Sequence, residues 1–401
     1  MLGSADSAVI TGADGAAYNR LLSRIHEAMA TGTAAPARPR ETIAESWRRL
    51  RQRGLRPDRN TAAASLRGDT SAPHADRLRR LFPQLLTHAQ PLVDDNDTLL
   101  VLADADGTLI DTAGHRRSRD RAEEIGFLPG HFWAEQNVGT NAIGTALVTK
   151  RPVAVHGAEH FLIGQHGWSC AAAPIRDPWT GVIQGVVDLS LPLDQAHPAL
   201  LALASSIART ASLELAAAHR RDLDLLRARS VAETRGLATP WAVIDDSGWV
   251  ADSSGVDARR RISIPGTITA GDEWIAPLGE VDVIPLEHGW LLRGRDGGTD
   301  EHDATALVEI RRGDTGGEIT VFTGTRRRAI AVTPRQADIL VLLAHSDHGF
   351  SAAELSAQLY GTPERDVTVR AEISRLRRTL GTLIAASPYR FAAGVVVEFA
   401  D

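Results

Sequence analysis

Two apolar runs, each folded back on itself by a tight turn, constrain this chain more than any other feature. Thr98-Leu99-Leu100-Val101-Leu102-Ala103 is followed by the turn Asp104 to Gly107, after which Thr108 to Asp111 resumes the run. Ala171 to Ile175 and Val182 to Leu189 flank Asp177-Pro178-Trp179-Thr180-Gly181 in the same way. Short apolar runs parted by Asp and Gly at turn positions predict β-hairpins. Between them, Phe132 to Thr149 reads as a loop entering a helix, and Pro152 to His156 as a short strand. Hairpins with helices between them predict an antiparallel α+β domain over residues 81–196.

The flanking segments read differently. Residues 1–80 predict helices with loops: Leu21, Leu22, Ile25 and Met29 recur at helical spacing, and Ile43, Trp47 and Leu50 mark a second, very basic helix. Its Arg48, Arg49, Arg51 and Arg53 read either as a solvated face or as nucleic-acid contacts. Residues 197–235 predict one long amphipathic helix, a linker that packs on its own chain or on a dimer partner. Residues 236–325 predict a small β-rich, PAS-like domain of short strands, with solvated acids from Asp296 to Asp303. Residues 326–401 form the last segment.

The formal net charge of −6 alone argues against nucleic acid, but its distribution does not. The five segments carry +6, −7, +2, −9 and +2 in chain order. Lys150 is the only lysine among 44 basic residues, and it lies in no G-x-x-x-x-G-K-[ST] loop, which excludes a Walker A nucleotide site. A single cysteine, Cys170, excludes an intramolecular disulfide framework and fits a reducing cytoplasm. No basic-then-apolar leader opens the chain, and no window of about 18 uninterrupted apolar residues predicts a membrane span. No G-x-S-x-G elbow surrounds any serine, and the acidic pairs Asp94-Asp95 and Glu123-Glu124 have no partner motif, so no enzyme is expected.

The last segment carries the strongest local signals. Thr333-Pro334-Arg335-Gln336 joins a capping Thr, a Pro at the first helical position and a Gln three residues after the cap. Ser351-Ala352-Ala353-Glu354 is a second capping box, and a third helix runs from Thr368 to Leu380, stopped by Gly381. That helix has an apolar stripe of Val369, Ile373, Leu376 and Leu380, with Arg370, Ser374, Arg375, Arg377 and Arg378 elsewhere. Pro388 to Phe391 and Val395 to Phe399 read as the strands of a hairpin. Three helices and a hairpin predict a winged helix-turn-helix. Double-stranded promoter DNA would then be met by Thr368, Arg370, Ser374, Arg375, Arg377, Arg378 and Arg390. A segment charge of +2 is a weak basic footprint, and a homodimer would double it.

His131-Phe132-Trp133-Ala134-Glu135-Gln136-Asn137-Val138-Gly139-Thr140-Asn141-Ala142-Ile143-Gly144-Thr145-Ala146-Leu147 resembles the GAF sensory domain of acetoin-catabolism-type transcriptional activators. Glu159-His160-Phe161, Ser169 to Ile175 and Gly185-Val186-Val187-Asp188-Leu189 fit the same pattern, and Ile43 to Arg49 is similar to the stretch that precedes the domain. The resemblance covers residues 40–195 and implies a GAF-type sheet with helices that cradles a small-molecule effector. Those activators continue into an ATPase module, which the missing Walker A lysine excludes here. The remainder resembles actinobacterial GAF-containing regulators that end in a winged helix, which implies direct action at a promoter, with RNA polymerase as a candidate partner.

The resemblance points to Phe132, Trp133, Asn137, Asn141, Phe161 and Trp168 as ligand contacts, aromatics forming a wall and asparagines bonding a carbonyl or hydroxyl. Two readings stand side by side: the aromatics and asparagines as ligand groups, or Asn137 and Asn141 as caps of the following helix with the aromatics in the core. His156, His160, His166 and Cys170 have the residue types of a metal site, but the glycines between them argue against the helical spacing such a site would need. Neither metal nor cofactor is expected, and Cys170 reads as buried and inert rather than as a redox switch. A ligand-responsive regulator is the reading that follows, with a sequestering protein-interaction module as the alternative.

Overall fold

The structure is a computed structural model that describes residues 12–400 apart from 32, 67–72, 96, 257–259, 263, 265–267, 276–277, 296–305, 314–315, 324–325, 347, 387 and 393. The acidic stretch Asp296 to Asp303 therefore lies outside the described residues, as do the side chains of Met29, Asp94, Asp95 and Arg378. The fold is α+β and forms two compact units, residues 1–218 and 219–401.

The first unit opens with helices α1 (Gly12–Thr31), α2 (Glu41–Gln52), α3 (Thr61–Ser65) and α4 (Pro73–Asp95). The strand pair β1 (Leu99–Asp104) and β2 (Leu109–Gly114) follows, then helices α5 (Arg116–Glu124), α6 (Glu135–Val138) and α7 (Ala142–Thr149). Strands β3 (Val153–His156), β4 (Trp168–Arg176) and β5 (Ile183–Pro192) complete an antiparallel sheet of order β2-β1-β5-β4-β3. Both expected hairpin turns are present, and Asp104 explains the first: its Oδ1 accepts from the N–H groups of Asp106 and Thr108 at 2.9 and 2.8 Å.

Helices cover both faces of this sheet. Alternate residues of β1 point to opposite faces. Leu99, Val101 and Ala103 enter one core with Leu22, Ile25, Ile43, Trp47 and Leu50. Leu100 and Leu102 enter another, with Leu78, Phe82 and Leu85 of α4 and with helix α8 (Leu200–Arg229). Two buried faces explain why Leu99 to Ala103 is continuously apolar instead of alternating. The N-terminal helices are thus a layer of the first unit, not a separate segment ending at residue 80. The first part of α8 is equally a layer: Leu200, Ala204, Ile207, Ala208, Ala211 and Leu215 are buried on the sheet. By length and composition α8 is apolar enough to cross a membrane, but this stripe belongs to the core.

In the second unit, α8 ends at Arg229, and α9 (Val231–Thr234) follows. Strands β6 (Trp241–Ile244), β7 (Val250–Ser254), β8 (Gly271–Ile275), β9 (Gly279–Leu286) and β10 (Gly289–Gly294) form a sheet of order β7-β6-β10-β9-β8. That is the strand order of the first sheet, and its first turn repeats the same device: Asp245 Oδ1 accepts from the N–H groups of Ser247 and Trp249 at 2.9 and 2.8 Å.

Strands β11 (Ala306–Gly313), β12 (Gly316–Thr323) and β13 (Arg326–Val332) precede helices α10 (Pro334–Ala344), α11 (Ala352–Tyr360) and α12 (Asp366–Leu380). Strands β14 (Ile384–Ala386), β15 (Tyr389–Phe391) and β16 (Val395–Ala400) end the chain. Both expected capping boxes form, at Thr333 with Gln336 and at Ser351 with Glu354. Two expectations are corrected. The break placed at 325/326 falls between hydrogen-bonded strands, because β12 pairs with β13 along its length. The hairpin expected from Pro388 to Phe399 does not form. Instead β15 pairs with β14, and β16 runs parallel to β11. Pairing over such separations is set by burial of Val308, Ile310 and Ile319 in a common core with Ile339, Leu340, Val369 and Ile373, which adjacent residues do not reveal.

Candidate functional site

In the first unit, the motif from Glu135 to Thr145 folds as two short helices joined at Gly139, whose φ of 76° favours glycine. Asn141 caps α7: its Oδ1 accepts from Gly144 N–H at 2.9 Å and its Nδ2 donates to Gly139 O at 2.8 Å. Glu135 is buried and held by Arg49, which donates from Nε and Nη2 at 2.8 and 2.9 Å, and by the Thr145 hydroxyl at 3.1 Å. Arg53 donates to Gln136 at 3.0 Å, while Arg48 and Arg51 remain exposed. The basic helix therefore spends two of its arginines on this motif. A Cβ on Gly144 would lie 2.3 Å from Glu135 N. Gly144→Ala is accordingly expected to cost about 2 kcal/mol or more in urea unfolding, since backbone must move to admit the methyl.

Trp133, Asn141 and Trp168 line one cavity of about 20 Å³, together with Ile125, Phe127, Ala142, Ile143, His160, Gln165, Cys170, Asp188 and Ser190. Phe132 and Asn137 are half-buried and do not line it; Phe161 is buried nearby, edge-on to Trp47 at 6.3 Å. Asn141 contributes its surface, but both ends of its amide are committed to the helix cap. Asp188 is the informative wall residue that sequence reasoning did not single out. It is 1% exposed, Ser190 donates to its Oδ2 at 2.6 Å, and its Oδ1 has no partner among the described residues. Burial pushes its carboxyl up to about 7. Gln165 Oε1 is likewise buried without a partner, its Nε2 donating to Val138 O at 2.9 Å. The signal available was a carboxylate inside Val186 to Leu191, a run whose only other polar side chain is Ser190.

The histidines are distributed, not convergent. The His156 ring bonds Ser169 Oγ at 2.6 Å, His160 Nδ1 bonds Gly157 O at 2.9 Å, and His166 Nε2 bonds His160 O at 3.2 Å. Burial lowers all three, His160 to about 3 and His166 to about 4, so they are neutral near pH 7. Among the described residues no three His, Cys, Asp or Glu side chains are grouped to hold a metal ion. Burial, then the nearby Asp188, raises the Cys170 thiol well above its ordinary value, which disfavours the reactive thiolate.

In the second unit, α12 buries Val369, Ile373, Leu376 and Leu380 and leaves Thr368, Arg370, Ser374 and Arg375 exposed. Arg370 pairs with Asp366 at 3.1 Å and Arg375 with Glu372 at 2.5 Å. Arg390 is exposed on β15. Arg377 departs from the expected set: it is half-buried, and its Nε donates to Ile384 O at 3.2 Å, which ties α12 to β14.

Comparison with known proteins places this arrangement. The chain is 38% identical to the acetoin dehydrogenase operon transcriptional activator AcoR of Bacillus subtilis over 200 residues, 49% of this chain and 33% of AcoR. It is 35% identical to the propane 2-monooxygenase operon transcriptional activator MimR of Mycolicibacterium smegmatis over 179 residues, 44% of this chain and 30% of MimR. It therefore spans about a third of the length of these two activators. A 28% identity extends over 98% of this chain and 74% of the uncharacterized 47.3 kDa protein in the thcA 5′ region of Rhodococcus erythropolis. Among solved structures, the Escherichia coli DhaR(N)–DhaL complex aligns with a TM-score of 0.38 and 18% identity, over 63% of this chain and 98% of that one. The similarity to both activators falls on a sensory region of the MimR and AcoR kind. Residues 7–212, more than half of the chain, match the family described as MimR, N-terminal domain, and the chain belongs to that family.

Proposed function

We propose that the protein is a ligand-responsive transcriptional regulator, with its small-molecule site in the cavity beside Asp188 and a winged helix-turn-helix formed by α10, α11, α12 and the β14–β15 hairpin. The observation that carries the DNA reading is the two-faced α12. Its four apolar positions are buried, while Thr368, Arg370, Ser374 and Arg375 stand exposed, as does Arg390 on the hairpin. Exposed arginines of this kind suit phosphate and guanine edges. The relation to transcriptional activators supports a regulatory role, and action on DNA implies a cytoplasmic protein without an enzymatic step. A homodimer would double the modest basic face.

Binding-site selection from a random duplex pool, followed by band-shift assays, tests this reading. Arg370→Ala with Arg390→Ala is expected to lower DNA affinity at least tenfold and to leave the unfolding midpoint in place. The salt slope, which follows the number of phosphate contacts at about 0.9 per contact, should fall by about 2 if both arginines meet phosphates. Arg377→Ala is expected instead to lower stability by about 1 kcal/mol, through the lost bond to Ile384 O. Absence of any sequence-preferring DNA binding overturns the proposal and leaves the sequestering reading in its place.

A further inference from the structure

We infer that the cleft between the C-terminal end of α4 and the start of α8 is a second ligand site of the first unit, suited to a medium-chain aliphatic alcohol. The cleft has a volume of about 660 Å³, within the range of small-molecule sites. It lies on the opposite face of the sheet from the cavity beside Asp188 and shares no wall residue with it. Leu92, Leu191, Leu200 and Leu203 supply an apolar wall drawn from α4, β5 and α8. Asp97, His115, Gln195 and His197 supply the polar part, and all four are exposed or partly exposed to solvent.

The head group follows from the hydrogen bonds of that polar part. Asp97 Oδ2 receives Gln195 Nε2 at 3.4 Å, and Asp97 Oδ1 lies 3.5 Å from His115 Nδ1. Both distances exceed the roughly 2.7–2.9 Å of a charge-assisted bond, so the carboxylate has room for a closer donor. His197 Nδ1 accepts from Ala199 N–H at 3.1 Å where α8 begins, and His115 Nδ1 accepts from Arg117 N–H at 3.4 Å where α5 begins. With Nδ1 accepting, each ring carries its proton on Nε2, a donor without a partner among the described residues. A ligand carboxylate would face the Asp97 charge. A ligand ammonium would face two imidazole N–H groups and the positive N-terminal end of α8. A hydroxyl both donates and accepts, so it suits the carboxylate and the imidazoles alike. Its chain then covers the leucines, two of which belong to the first turn of α8.

The test is calorimetric titration of the full chain with n-octanol, n-butanol, octylammonium chloride and sodium octanoate at matched ionic strength. n-Octanol is expected to bind at a single site, and n-butanol about a hundredfold more weakly, through the methylenes it lacks. Octylammonium and octanoate, with the same chain, are expected to bind about tenfold more weakly than n-octanol. Asp97→Ala is expected to weaken n-octanol about tenfold and to bring octanoate level with it. Partition onto an apolar surface would give no such exchange of head-group preference. Leu203→Trp is expected to fill the cleft and abolish binding. Should that variant fold poorly, the head-group exchange in Asp97→Ala, at a partly exposed position, keeps the idea testable. Octylammonium or octanoate binding to the wild-type protein as tightly as n-octanol overturns the alcohol assignment. n-Octanol binding that neither variant changes, or no binding at all, overturns the site. Each of these failures leaves the proposed site on the opposite face of the sheet untouched.

Discussion

Arg40→Ala is expected to destabilise the protein by about 3–5 kcal/mol, the range for stranding one member of a buried ion pair. Glu159 is 1% exposed and receives Arg40 Nε at 2.6 Å and Nη2 at 2.9 Å. Arg40 also donates to Ala154 O, the Tyr18 hydroxyl donates to Glu159 at 3.1 Å, and His156 N–H donates to it at 3.0 Å. Burial and the Glu159 charge push Tyr18 up to about 12, so it remains a donor across the ordinary pH range. Removing the guanidinium leaves a carboxylate in the core with only neutral donors. The double variant Arg40→Ala with Glu159→Gln is expected to recover a large part of the loss, because no charge is then stranded. Urea unfolding of the two variants and of Glu159→Gln decides this. A loss below about 1 kcal/mol in Arg40→Ala would show that the pair does not anchor the N-terminal helices.

The second large effect is a pH dependence. Asp188 has its carboxyl raised from 3.8 to about 7 by burial. The folded state therefore holds a proton that the unfolded state has released, and stability falls as pH rises from about 4 to about 7, with no further loss from this group above that. Asp188→Asn cannot titrate. It is expected to gain on the wild-type protein by about 3 kcal/mol between pH 5 and pH 8, since each tenfold difference in proton affinity between the folded and unfolded chains is worth about 1.36 kcal/mol. Taking the difference between the two proteins cancels the other titrating groups. A difference that is flat with pH in the unliganded proteins would mean that Asp188 is ionised at low pH and has a partner.

Particular residues show how far local sequence reaches. Thr333-Pro334-Arg335-Gln336 and Ser351 to Glu354 announce helix starts because a cap is satisfied within four residues. The turns at Asp104 and Asp245 are legible for the same reason. Helix α4 is hard to read from local sequence, since Pro83 and Pro91 interrupt its pattern, and it persists because Leu78, Phe82, Leu85, Ala89 and Val93 are buried along one face. Asn141 shows a motif residue whose role was ambiguous until its two bonds were placed. Arg377 looked like its neighbours in sequence, and only the position of Ile384 O separates it from them.

What the sequence by itself determined was the set of elements: hairpin strands, capped helices, the two-faced arginine helix and the absence of a nucleotide loop. These depend on neighbours within about one turn or one hairpin, where spacing and residue type decide the geometry. What only the tertiary structure decided was partnership at long range. It assigned Arg40 to Glu159, Arg49 to Glu135, β16 to β11, and an unpartnered oxygen of Asp188 to a cavity wall. Each of these turns on burial, which removes water as the alternative partner and makes the identity of the nearest polar group matter.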